Sequence, residues 1–177
     1  MQQGAASEII DVYLRSFEHS GAIEWQGSAG NEGVRVRQAS VLRDEMSTLT
    51  TDKPVIIKLE LEVLEPQYGL IVAWEIWNQR EQLLAYSVAD DSQPPPGATT
   101  VPGLYSWSME IPGDTFAAGK YVACLDLGIH NNRRLVPEKS ICLELKIENT
   151  AGIGRRYPSE WVNILRPAWR WTGKLNS

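Results

Sequence analysis

Val55-Ile56-Ile57-Lys58-Leu59-Glu60-Leu61-Glu62-Val63 is the stretch whose reading decides the fold. Its odd positions are apolar and its even positions become charged, the two-residue period of a strand with one face buried and one in water. The same period recurs on both sides. Upstream, Val34, Val36 and Val41 are set among Arg35 and Arg37. Downstream, Leu70, Val72, Trp74 and Ile76 share one face, and Ile71, Ala73, Glu75 and Trp77 the other. Asn78 to Glu81 reads as a turn and Leu83 to Val88 as the returning strand. Tyr105, Trp107, Met109 and Ile111 alternate with polar residues, as do Tyr121, Ala123, Leu125, Leu127 and Ile129, and then Ile141, Leu143, Leu145 and Ile147. The tail from Trp161 to Trp171 is a candidate last strand. Eight or nine strands with short connections predict an all-β chain, an immunoglobulin-like antiparallel β-sandwich. A closed barrel is the competing arrangement, since alternation does not fix closure.

One element breaks the pattern. Ser7 is a good helix N-cap, Glu8 and Asp11 follow in the first turn, and Ile10, Tyr13, Leu14 and Phe17 form an amphipathic stripe. The expected division is therefore a helix or linker over 1–20 and a β-domain over 21–177. The chain of 177 residues is long enough for a real core. No stretch approaches the roughly 20 apolar residues of a membrane helix, and Met1 to Ser7 lack the features of a signal peptide. The net charge of −5 argues against nucleic-acid binding, which needs a cationic face.

Catalytic motifs are missing. The nearest phosphate-loop candidate, Gly113 to Tyr121, has the wrong spacing, and Tyr121 stands where a Ser or Thr would hold magnesium. No nucleophile elbow, zinc motif or dinucleotide fingerprint is present. Asp126 and His130 share a strand face but are roughly 13 Å apart by strand rise, too far for a base and its orienter. No cofactor, metal or enzymatic activity is expected. A hairpin centred near Leu135 sets Cys124 opposite Lys146 and Cys142 opposite Gly128, out of reach of a disulfide. Free thiols then fit a reducing compartment.

The composition holds a different signal, seven tryptophans against two phenylalanines. Trp74 and Trp107 share faces with apolar neighbours and read as core. Trp77 shares its face with Glu75, and a large aromatic on a wet face needs a reason. One reason is burial under the Pro-rich loop from Asp90 to Gly103; the other is a ligand. In an immunoglobulin-like order the strands carrying Glu75, Leu83, Asp126 and Glu144 lie in one sheet, and its outer face shows Glu75, Trp77, Asp126, His130, Glu144 and Lys146. Sugar C–H faces want an aromatic plane, and sugar hydroxyls want paired donors and acceptors. The candidate glycan-binding set is Trp77, Glu75, Asp126, His130, Tyr86 and Asn132. For Asp126, Glu144 and Lys146 the competing reading is an ordinary solvated face, and Tyr86 is open to either side, since Leu83/Ala85 and Leu84/Tyr86 are both acceptable inward sets. Arg155 and Arg156 beside Tyr157 are candidates for an anionic substituent or a partner's acidic surface.

Several phrases, in order, resemble one family, the C-terminal polysaccharide-binding domain of the ATPase subunits of O-antigen ABC exporters, the Wzt type. Ile10-Asp11-Val12-Tyr13-Leu14 resembles the helix that closes the nucleotide-binding domain there. Trp25 to Asn31, Val34 to Asp44, and Ile111-Pro112 through Ala118-Gly119-Lys120-Tyr121 resemble successive segments of the β-domain. Pro167 to Trp171 resembles its aromatic last strand. Tyr86-Ser87-Val88 departs from a Gly-Thr-Asn stretch common in the family, so ligand identity does not transfer. The resemblance implies an ATPase domain upstream, a polysaccharide ligand, a homodimer, a membrane subunit of the transporter as partner, and a cytoplasmic place at the bacterial inner membrane. Two other classes stay open: an Ig-like protein–protein assembly module, and an enzyme using Glu75 and Asp126 as acid and base.

Overall fold

The structure, a computed structural model, describes residues 22–42, 48–89 and 100–149. The helix expected over 1–20, the tail strand from Trp161 to Trp171, Arg155 and Arg156, and most of the Asp90–Gly103 loop lie outside the described residues. Ten strands are present among those described: β1 (Glu24–Gly30), β2 (Val34–Leu42), β3 (Leu49–Thr50), β4 (Val55–Val63), β5 (Leu70–Asn78), β6 (Leu83–Val88), β7 (Gly103–Ile111), β8 (Gly119–Ile129), β9 (Arg133–Arg134) and β10 (Cys142–Glu148). They form two sheets, ordered β1-β2-β4-β7 and β3-β10-β8-β5-β6, with β9 paired to β8. The fold is a two-sheet sandwich, and the barrel alternative falls. The count exceeds the expected eight or nine because β3 and β9 are two residues each, too short to show alternation. The pairing of β3 with β10 is parallel, the one departure from antiparallel order among the described strands.

The alternation read from the sequence is the burial pattern of the core. Val55, Ile57, Leu59, Leu61 and Val63 of β4 face Leu70, Val72, Trp74 and Ile76 of β5 and the odd positions of β8 and β10 within one buried cluster. In β2 the inward set changes parity, from Val34 and Val36 to Ala39 and Val41. A register shift against β4 between Val36 and Gln38 absorbs the extra residue, so a bulge keeps apolar side chains inward on both sides of it. On the side where β6 and β7 end the two sheets, the sandwich opens into a cleft of about 230 Å³ lined in part by Trp74, Val88, Trp107 and Met109. Trp107 is accordingly only partly buried, packed on the core's margin.

The cysteine expectation is overturned. Cys124 and Cys142 are direct partners in the β8–β10 ladder, with Cα atoms 4.1 Å apart and a disulfide between them. The expected symmetric hairpin misplaced the register by four residues. In the structure β9 first folds back on β8, pairing Arg133 with Ile129 and Arg134 with Gly128. The chain then makes a separate excursion through Leu135, Val136 and Ile141, all buried, before β10 begins. The Leu125 amide donates to the Ile141 carbonyl at 2.9 Å, which leaves the next pair, Cys124 and Cys142, as a close, non-hydrogen-bonded pair. With both cysteines in one disulfide, no free thiol points to a reducing compartment.

Candidate functional site

β6, β5, β8 and β10 lie side by side in that order, as the sheet assignment required. Along β5 the positions alternating with the core residues Val72, Trp74 and Ile76 are Ala73, Glu75 and Trp77, so these three share the outer face. Register places Glu75 between Tyr86 on β6 and Cys124 on β8, and Ala73 between Val88 and Asp126. Ala73 has only a methyl group there. The Tyr86 phenol spans β5 past it and donates to Asp126 Oδ2 at 2.9 Å.

The other aromatic is held along its own strand. Trp77 Nε1 donates to Glu75 Oε2 at 3.0 Å. Glu75 is only 8% exposed, so this face is wet only in part. That burial corrects the use of Glu75 as the mark of a wet face. A buried carboxylate needs hydrogen-bond partners, and the indole N–H supplies one. Asp126 has a second neighbour, with Arg134 Nε 3.6 Å from Oδ1, and Arg134 Nη1 reaches Glu138 at 3.1 Å. The ammonium of Lys139 lies over the Trp77 ring, 3.9 Å from its centroid.

Burial, then the hydrogen bond and charge of Asp126, then the charge of Glu75 push the Tyr86 hydroxyl up to about 12. Desolvation and two carboxylates both disfavour a phenolate. The folded state thus holds this proton more tightly than the unfolded chain. The resulting stabilisation is complete below the ordinary tyrosine value near pH 10 and is lost as pH rises through about 12. In an ultraviolet phenolate titration the step lost in Tyr86→Phe is expected at about pH 12, above the ordinary tyrosine range. Asp126→Asn should bring it earlier; an unchanged late step in that variant would exclude Asp126 as a cause.

Four of the six candidate residues, Glu75, Trp77, Tyr86 and Asp126, are brought together. The other two are not. His130 and Asn132 are exposed in the turn between β8 and β9, where the His130 amide donates to the Gly69 carbonyl and the Asn132 amide to that of Ile129. Among the described residues no side-chain hydrogen bond joins either to the cluster. Alternation carried His130 beyond the last strand residue, Ile129, where it no longer fixes a direction. Glu144 and Lys146 lie on β10, and Lys146 pairs with Glu148 at 3.2 Å.

Sequence reasoning missed Arg134 and Lys139, both within the stretch from Asn131 to Lys139 that lies between two alternating runs. The available signal was that they, with Arg133, are its basic residues. Lys139 also has a left-handed backbone, φ 54°, uncommon for a residue with a Cβ. The described residues hold no cluster of three or more metal-ligating side chains and no helix long and apolar enough to cross a membrane.

Fold and site together define a two-sheet β-sandwich module with an aromatic and carboxylate face on its larger sheet. Among solved structures it is similar to the C-terminal domain of Wzt, with a TM-score of 0.60 over 88% of this chain and 90% of that one, at 10% sequence identity. At that identity the likeness is one of fold. No family model and no curated protein matches the sequence.

Proposed function

We propose that the chain is a non-catalytic carbohydrate-binding domain that recognises an O-antigen-type polysaccharide for export by an ABC transporter. The observation that carries this is the Trp77–Glu75–Tyr86–Asp126 cluster, two aromatics and two carboxylates brought to one sheet face. The sandwich shared with the C-terminal domain of Wzt supports it. Both carboxylates are engaged by donors of the chain itself, Trp77 and Tyr86, which suits fixed recognition better than acid–base turnover. Residues 1–20 would join an upstream ATPase domain, and the partners would be a second copy and the transporter's membrane subunit. Sedimentation tests the dimer: a monomer at high concentration, unchanged by removing 161–177, rejects it.

In this reading the protein works on the cytoplasmic side of the inner membrane. Disulfides are rare there, so the Cys124–Cys142 bond would depend on shielding, and Cys124 is 3% exposed.

Trp77→Ala is expected to weaken retention of the cell's own polysaccharide in an affinity gel by about 1–3 kcal/mol, the scale of aromatic stacking on a flat ligand. A folded variant that binds like wild type removes Trp77 from the site. A second reading, a protein-docking module, draws on Tyr68, Val101 and Leu104, which are 73%, 59% and 67% exposed. It requires no glycan retention by the wild type at all.

A further inference from the structure

Lys139 occupies the plane that a sugar would use. Its ammonium stands 3.9 Å from the centroid of the Trp77 ring, and a cation in that position is drawn by the ring's negative face. Two other cations of this sheet face are neutralised by carboxylates: Arg134 by Asp126 and Glu138, and Lys146 by Glu148. Lys139 has no carboxylate partner among the described residues; its charge rests on an indole. Its left-handed backbone shows that the turn holds it there at some conformational cost.

A sugar ring stacking on that indole face takes the place of the ammonium. The displaced charge then needs an acceptor at the rim. Glu75 and Asp126 are already bonded to Trp77 and Tyr86. Building on the glycan-binding reading above, we infer that Lys139 selects for a sugar bearing an anionic group, a carboxylate or a phosphate ester, which receives the ammonium as the ring takes over Trp77. A neutral sugar must displace Lys139 with no such acceptor, and charge-assisted hydrogen bonds are roughly twice as strong as neutral ones.

The test follows the Trp77 indole N–H by nuclear magnetic resonance, assigned by its loss in Trp77→Phe. Methyl glucuronide, methyl glucoside 6-phosphate, methyl glucoside and inorganic phosphate are titrated separately. The two anionic sugars should bind about tenfold more tightly than methyl glucoside, the step expected of one charge-assisted hydrogen bond. The stronger of them shows which anion is preferred. Lys139→Asn, which keeps a residue tolerant of the left-handed turn, should abolish the preference, and Lys139→Arg should retain it. Equal binding of all three sugars leaves the glycan site standing and overturns the role of Lys139, as does a preference that survives in Lys139→Asn. Inorganic phosphate binding as well as the anionic sugars overturns it too, because the ring then contributes nothing. No response to any sugar overturns both this inference and the glycan reading of the face.

Discussion

Trp74→Ala is expected to destabilise the domain by about 3–5 kcal/mol in urea denaturation, the cost of removing a large aromatic from a packed core. Trp74 is 4% exposed and packs with Val72 and Ile76 in the buried cluster. It also lines the cleft between the β6 and β7 edges, so truncation enlarges an existing space. The variant to set beside it is Trp77→Ala. Three positions along the same strand, Trp77 lies on the opposite face, only partly buried and held by Glu75 and Lys139. Its loss should leave the fold standing and act on ligand retention. A stable Trp74→Ala beside an unfolded Trp77→Ala would falsify the assignment of the two faces of β5.

Reduction of the Cys124–Cys142 bond, or its replacement in a Cys124→Ala/Cys142→Ala double variant, is expected to lower unfolding stability by about 3 kcal/mol. The reasoning concerns the unfolded chain. The bond joins residues 18 apart and removes the freedom of that loop when all else is unfolded. In the native sheet β8 and β10 remain paired from Cys124–Cys142 to Gly119–Ile147, so the reduced domain should still fold. Denaturation with and without a dithiol reductant measures the difference. Coincident curves would mean that the bond does not restrain the unfolded ensemble.

The strands and their partition between sheets were legible because alternation in β4, β5, β8 and β10 is strict and names the buried face residue by residue. The neighbourhood of Glu75, Trp77 and Asp126 followed from sheet order and the two-residue period, whereas the side taken by Tyr86 did not, because β6 offers two acceptable inward sets. What failed lay where neither applies. The β8–β10 register depends on how residues 130–141 are apportioned between a small hairpin with β9 and a buried excursion, which composition does not encode. That one error separated Cys124 from Cys142. Lys139 and Arg134 reach the site from this same connection, where no periodicity gives direction, and His130 fell just past the strand that would have aimed it. Glu75 looked wet because alternation assigns a face and not the side chains that cover it.

The connection between β8 and β10 has a further bearing on how such a domain changes over time. In most hairpins the turn sets the alignment of the strands, and a single insertion there slips every side chain to the wrong face. Here the burial of Leu143, Leu145 and Ile147 on one face sets it, and the bond between Cys124 and Cys142 locks it. The residues between them are relieved of that duty, and they are the ones that bring Arg134, Glu138 and Lys139 to the candidate face. A lineage can therefore lengthen, shorten or recharge this segment, and so alter the charge of the candidate face, while the sheet beneath keeps its alignment.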